Sequence, residues 1–151
     1  MSRPIQPPVN PSLSGTADTL MLAALVTSAL IAVAIGASFD QLGTALPVAG
    51  LLTALGAGAA LGARGTLASR MVLATTLMGM TALHIQLGRG TLEFHFGVFV
   101  TLALLLIYRD WRPLLAAAGL IAVHHVLFDR LQAGGVGVYC LTQPDFMKVL
   151  M

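Results

Sequence analysis

Residues 92–108 read Leu-Glu-Phe-His-Phe-Gly-Val-Phe-Val-Thr-Leu-Ala-Leu-Leu-Leu-Ile-Tyr, an apolar run with one carboxylate and one imidazole near its start. Ionisable side chains are costly to place in hydrocarbon, so His95 within such a run indicates a functional site. The other histidines of the chain, His84, His124 and His125, lie in the two neighbouring apolar segments. The sequence therefore predicts a membrane protein with a polar site inside it.

The composition of the whole chain supports the membrane assignment. Of its 151 residues, 57% are hydrophobic and 9% charged, and the mean hydropathy is +0.88. Soluble domains carry about 25% charged residues. The basic residues are scattered singly, which excludes a nucleic-acid-binding stripe. The single cysteine, Cys140, has no partner for a disulfide or a CxxC pair, and we interpret it as a small apolar filler.

Segments of membrane length divide the chain into an all-α, polytopic helix bundle. A hydrocarbon core of about 30 Å needs about 20 helical residues. This length predicts a flexible N-terminal tail over residues 1–18 and a transmembrane bundle over residues 19–151. The predicted spans are at about 19–37, 46–63, 67–87, 92–108 and 113–131. The last apolar run, residues 146–151, is too short to cross, and we interpret it as the start of a sixth span cut from a longer protein.

The basic residues in the predicted loops indicate an orientation. Five lie on the side of the N-terminus and three on the other side, namely Arg3, Arg64, Arg70, Arg109 and Arg112 against Arg89, Arg130 and Lys148. The positive-inside rule then places the N-terminus in the cytoplasm. In the second span, Gly58 and Gly62 form a GxxxG pair, which favours tight packing within the bundle or, as the alternative, a homodimer.

Counting along the helices places the four histidines at one depth. At about 1.5 Å per residue, His84 and His95 each lie about 8 Å from the turn between them, and His125 reaches the same level from the opposite side. Helices with short connections are neighbours, so the imidazoles are expected to converge in one cavity. His124 and His125 point about 100° apart, so one of the two is expected to face that cavity.

Glu93 lies within one turn of the histidine layer but about 200° around the helix from His95. Both reach one centre only if the helix start is unwound or if there are two centres. The alternative is that Glu93 lies in the first turn of the helix, after the cap residue Thr91, because the positive N-terminal end of the helix favours a carboxylate there. For the histidines, the structural alternative is a set of neutral rings hydrogen-bonded between helices.

These residue types suit two kinds of cofactor. Imidazole with a carboxylate suits a transition metal such as iron, copper or zinc, and paired imidazoles from two helices suit haem. The small residues Ala118, Gly119 and Ala122 would leave room for a haem. The residue pattern leaves the choice between these cofactors open.

Five motifs carry a resemblance to a known family. They are His84 with Gly88, Glu93-Phe94-His95-Phe96 with Phe99-Val100, Tyr108-Arg109-Asp110-Trp111-Arg112, Ala122-Val123-His124-His125, and Gly135-Val136-Gly137-Val138-Tyr139. The stretch resembles the N-terminal membrane sensor module of bacterial methyl-accepting chemotaxis proteins, sensor histidine kinases and diguanylate cyclases.

The chain departs from the family pattern in two places. The family often has a histidine where this chain has Gly97. Another histidine commonly follows the tyrosine, where this chain has Cys140 to Gln143, and one more usually opens the sixth helix. In relatives the second of the paired histidines remains when the first is replaced, which implies that His125 is the ligand.

The resemblance implies a sensory input domain of the bacterial inner membrane. Its metal or haem would be held by His84, His95 and His125, with Glu93 as a ligand or supporting group and His124 packed beside them. It further implies a cytoplasmic signalling domain in the same polypeptide and a homodimer through the full-length receptor.

Two other functions fit the residues: a membrane redox enzyme that turns over oxygen or a quinone, and a structural or transport bundle with a histidine proton relay. No Ser-His-Asp or Cys-His nucleophile arrangement is visible.

Overall fold

The structure, a computed structural model, describes residues 11–143 and residue 147. The described residues form helices and no strands, which confirms the all-α prediction. The elements are α1 (Pro11–Ser38), α2 (Leu42–Gly62), α3 (Leu67–Leu87), α4 (Leu92–Leu105), a 3-10 turn (Leu106–Tyr108) and α5 (Trp111–Ala133). The predicted start of a sixth span, residues 146–151, lies outside the described residues except for Met147.

Three of the described helices are long and apolar enough to cross a membrane. They are Gly15–Ser38, Leu42–Gly62 and Trp111–Ala133, and the apolar helix Leu92–Tyr108 is shorter. Their outward faces carry large exposed apolar side chains, such as Leu30 and Leu61. By length and composition, this is a membrane protein.

The helices run up and down between two ends of the bundle. One end, which we call the arginine end, holds the start of α1 and the connections at residues 63–66 and 106–110. The other, the histidine end, holds the connections at residues 39–41 and 88–91 and the loop at residues 134–143. Every candidate ligand histidine lies toward the histidine end.

Helix α3 is the centre of the bundle because it packs against all four other helices. Leu73, Met78, Met80 and Ile85 are fully shielded. Its buried threonines are tolerated because their hydroxyls have hydrogen-bond partners. Thr81, for example, exchanges a hydrogen bond with a threonine of α4 at 2.8 Å.

Helix α1 begins at Pro11, so residues 11–18, which the sequence placed in a flexible tail, are helical. Asp18 anchors this segment, because its side chain is fully buried inside the arginine end. Its carboxylate accepts hydrogen bonds from the backbone N–H of Gly65 (2.7 Å), the hydroxyl of Ser69 (2.8 Å) and the hydroxyl of Tyr108 (3.0 Å). A buried carboxylate with three donors fixes the first turns of α1 against α3 and the 3-10 turn.

The glycines of α2 divide between the core and the outer surface. Gly56 faces Leu25 and Leu73, and a side chain there would collide with the first of these. Gly58 and Gly62 have open space where a side chain would stand. The close packing predicted for the GxxxG pair is therefore made at Gly56, and the pair itself faces outward.

Candidate metal centre

Two helices and a loop bring three potential metal ligands together at the histidine end. The rings of His95 on α4 and His125 on α5 lie 5.4 Å apart between centroids. Cys140, from the loop after α5, joins them, and one ligand atom from each of the three residues lies within 4.8 Å of the others. The three residues are close enough to share one metal ion.

Both imidazoles are oriented in the same way by their own helices. The Nδ1–H of His95 donates to the carbonyl of Thr91 (3.0 Å), and the Nδ1–H of His125 donates to the carbonyl of Ile121 (2.8 Å). This hydrogen bond fixes the tautomer and leaves Nε2 as the nitrogen for a ligand. The Nε2 atom of His95 is buried without a hydrogen-bond partner among the described residues. A buried nitrogen of this kind is what a metal ion would satisfy.

Two glutamine side chains hold the loop that carries Cys140. The Oε1 atom of Gln132 accepts from the backbone N–H of Cys140 (3.0 Å), and its Nε2 donates to the carbonyl of Leu141 (2.7 Å). The Oε1 atom of Gln86 on α3 accepts from the backbone N–H of Tyr139 (2.7 Å). The thiol therefore has a defined position although it lies in an irregular segment.

The environment of Cys140 keeps its sulfur protonated when no metal is present. Burial, with a smaller contribution from the negative charge of Asp129, raises the pKa of the Cys140 thiol to about 11. Cys140 is fully buried and Asp129 almost so. Because the thiolate is the form that binds metals, a metal ion would displace one proton from this site.

The structure places His84 away from the other ligands. Its Nε2–H donates to the carbonyl of Ser28 on α1 at 2.9 Å. The sequence placed His84 at the level of the other histidines, but its ring faces α1. In this position His84 ties α3 to α1 across the bundle.

His124 and Glu93 also lie outside the three-residue group. The ring of His124 is buried and packs on Phe128 with centroids 4.0 Å apart, next to the ring of His125 at 5.6 Å. Glu93 is exposed in the first turn of α4, where its charge suits the helix N-terminus. Of the paired histidines, His125 is the one that faces His95 and Cys140.

Cys140 is a candidate ligand that the sequence pattern does not predict. A lone cysteine has no metal-binding spacing, so the sequence favours its interpretation as a small apolar filler. A clue was present, since Cys140 begins the stretch where the resembled family commonly has a further histidine after its tyrosine. Thiol and imidazole are interchangeable as ligands for zinc and copper, so the position could have been included.

Comparisons with protein-family models, with curated proteins and with solved structures found no match to this chain.

Proposed function

We propose that this chain is a membrane-embedded sensory input domain that binds a transition-metal ion, zinc or copper, through His95, His125 and Cys140. The observation that carries the proposal is the convergence of these three donors. Two nitrogens and one sulfur are a donor set that suits zinc and copper better than it suits harder metal ions. Zinc binds nitrogen at about 2.0–2.1 Å and sulfur at about 2.3 Å. The donor atoms, which lie within 4.8 Å of one another, would therefore have to approach each other by roughly 1 Å to bind one zinc ion.

The same donor set argues for a compact ion instead of haem. A haem with two axial imidazoles has its macrocycle between the rings. Here the sulfur of Cys140 is within 4.8 Å of a nitrogen on each ring, so the three donor atoms form one compact group. One small cation satisfies all three.

The signalling role in the proposal is supported by the elements that the candidate ligands would join. Helix α4 packs less extensively against α5 than against α3. A metal ion held by His95 and His125 would tie α4 to α5 and change how the two helices pack. A sensor needs two packings that the bound and free states stabilise differently.

We further propose the membrane arrangement that the sequence favours. The arginine end would face the cytoplasm of a bacterial inner membrane, with five spans in this chain. The metal site would then lie near the outer face. A cytoplasmic signalling domain in the same polypeptide, as in the receptors that the sequence resembles, would receive the change in helix packing from the arginine end, and the full-length receptor would act as a dimer.

Metal binding can be tested with two matched variants. The full chain in lipid nanodiscs is titrated with Co²⁺ or Zn²⁺, and the bound metal is counted by elemental analysis. We expect one ion per chain, and we expect His95→Gln to weaken binding by at least about 100-fold. His84→Gln, the same change at the histidine that contacts Ser28, should bind like the wild type. Negligible metal in the wild type, or equal loss in both variants, would overturn the proposal.

A further inference from the structure

The two ends of the bundle expose different charges. At the arginine end the exposed charged side chains are all cationic, namely Arg64, Arg109 and Arg112. The two carboxylates of that end, Asp18 and Asp110, are buried and half-buried. At the histidine end, exposed side chains of both signs occur together, namely Arg89, Arg130, Asp40 and Glu93. Among the described residues, only the arginine end therefore presents a purely positive surface.

The carboxylate beside Arg109 and Arg112 in the sequence is already engaged. One oxygen of Asp110 contacts the buried guanidinium of Arg70 at 3.4 Å. The other accepts the backbone N–H of Arg112 at 3.1 Å, at the start of α5. Asp18 is held in the same way by its own donors on α3 and the 3-10 turn. Within residues 11–143, the guanidinium groups of Arg109 and Arg112 consequently have no carboxylate partner.

Local structure places both arginines at the corner where the 3-10 turn meets α5. Arg109 ends that turn with φ +50°, a left-handed conformation that glycine would adopt more readily. Arg112 lies in the first turn of α5, and its guanidinium carbon is 5.9 Å from the centre of the Trp111 ring. This cation–π contact uses the face of the ring and leaves the N–H donors of the guanidinium available.

The same corner carries exposed apolar side chains. Leu106 on the 3-10 turn is 62% exposed, and Trp111 and Leu115 on α5 are 59% and 58% exposed. Helix α5 is long and apolar enough to cross a membrane, and it begins here. The corner therefore lies at the boundary between hydrocarbon and headgroups, the level at which tryptophan is enriched in membrane proteins.

We propose that this corner binds an anionic phospholipid, with its phosphate at Arg109 and Arg112 and an acyl chain along Leu106 and Leu115. Guanidinium groups suit a phosphate because their paired N–H donors match its oxygens. A zwitterionic headgroup would bring a cation of its own to two arginines that lack a counter-charge, so a lipid with net negative charge, such as phosphatidylglycerol, is favoured. The inference goes beyond the proposed metal site and does not depend on it.

Trp111 is the only tryptophan in the chain, so its fluorescence reports on the proposed site. The full chain is reconstituted in phosphatidylcholine vesicles that contain a rising fraction of phosphatidylglycerol brominated on its chains near the headgroup. Brominated phosphatidylcholine provides the reference. Each arginine near the surface should favour the anionic lipid about fivefold. Half-maximal quenching of Trp111 should therefore need a roughly 25-fold lower fraction of the brominated phosphatidylglycerol than of the brominated phosphatidylcholine.

Arg109→Gln and Arg89→Gln form a matched pair of variants. Both residues are exposed and have left-handed backbones, with φ +50° and +54°, but Arg89 lies at the histidine end. Arg109→Gln should raise the required fraction of brominated phosphatidylglycerol about fivefold, and Arg89→Gln should match the wild type. Arg109→Lys, which keeps the charge and loses the paired donors, should give an intermediate value.

Two results would overturn the lipid site. The first is equal quenching of wild-type Trp111 by the two brominated lipids. The second is the same lipid preference in Arg109→Gln and Arg89→Gln, which would assign the preference to the overall charge of the protein. Neither result bears on metal binding, because the metal titration measures the opposite end of the bundle.

Discussion

His95 and His125 are oriented by the same kind of local hydrogen bond, on two different helices. Each ring is held by an Nδ1–H donated to the carbonyl four residues earlier, so that Nε2 projects away from its own helix. This hydrogen bond needs no other side chain, and it orients an imidazole even in an apolar helix. Cys140 lacks such a local partner and depends on Gln132 and Gln86 for its position.

The raised pKa of Cys140 gives metal binding a pH dependence of known sign. At neutral pH the free thiol is protonated, because its pKa is raised to about 11, and the proposed metal binding would release that proton. Apparent affinity should therefore rise about tenfold per pH unit between about pH 7 and pH 8.5, since one proton is released for each ion bound. Cobalt titrations at several pH values measure the slope.

Cys140→Ser provides the comparison for the pH experiment. The serine hydroxyl does not ionise in this range, so the variant should bind cobalt more weakly and with a nearly flat pH profile. A wild-type profile as flat as that of Cys140→Ser would mean that the sulfur is not a ligand. Alkylation of the thiol should also be slower with metal bound, since the sulfur is then occupied.

Between elements, the turn joining α3 to α4 supports the loop that carries Cys140. Gly90 has φ +73°, and a Cβ there would collide with the backbone of Leu141, next to Cys140. Gly90→Ala should therefore displace the loop and weaken cobalt binding by about 10–100-fold, the usual effect of losing support for a ligand. The measurement is the titration used for the wild type.

Gly135→Ala is the matched control, because Gly135 has φ +79° with open space around it. The control meets the same left-handed backbone strain, about 1–2 kcal/mol, without the collision. It should lower thermal stability slightly and leave cobalt affinity near that of the wild type. Equal affinities for the two alanine variants would show that contact with Leu141 does not position the thiol.

At the arginine end, Asp18 joins three elements and offers a stability prediction that is separate from the metal. Asp18→Ala removes the acceptor of three hydrogen bonds and leaves the donors of Ser69 and Tyr108 buried. We expect a loss of about 2–4 kcal/mol of unfolding free energy, since each unsatisfied buried group costs about 1–3 kcal/mol. Asp40→Ala, at an exposed site, is the control.

Thermal or SDS-induced unfolding of the nanodisc or detergent sample measures the effect of Asp18→Ala. Below the unfolding midpoint the variant should still bind cobalt, because the carboxylate lies at the opposite end of the bundle. A midpoint equal to that of Asp40→Ala would mean that the network adds nothing to the packing of α1.

Across the whole molecule, the sequence predicted those features that depend on patterns along a single helix. Apolar length predicted the helices, and α3 has the bounds that were predicted, residues 67–87. Counting residues also placed His84 at a depth, but depth does not say which way a ring faces. The ring of His84 faces α1 because α3 is surrounded on all sides, which no single segment reveals.

The position of Cys140 could not be derived from local patterns for a related reason. Its loop is irregular, and its course is fixed by Gln86, which is 53 residues from its partner Tyr139 in the sequence. The anchoring of the start of α1 likewise involves Asp18 and Tyr108, which are 90 residues apart in the sequence. Pairings at such separations follow from the packed bundle.

A metal ion that ties α4, α5 and the loop should stabilise the whole bundle. Binding to the folded state alone adds about 2.7 kcal/mol when the free metal is at about 100 times its dissociation constant. For a chain of this size, about 2–4 °C per kcal/mol then predicts a rise of about 5–10 °C in the unfolding midpoint. The rise should grow with the logarithm of metal concentration. In Cys140→Ser it should be much smaller at the same metal concentration, because weaker binding reduces the linkage energy. An equal rise in both proteins would place the stabilising ion elsewhere on the molecule and would remove the link between His95, His125 and Cys140 and helix packing.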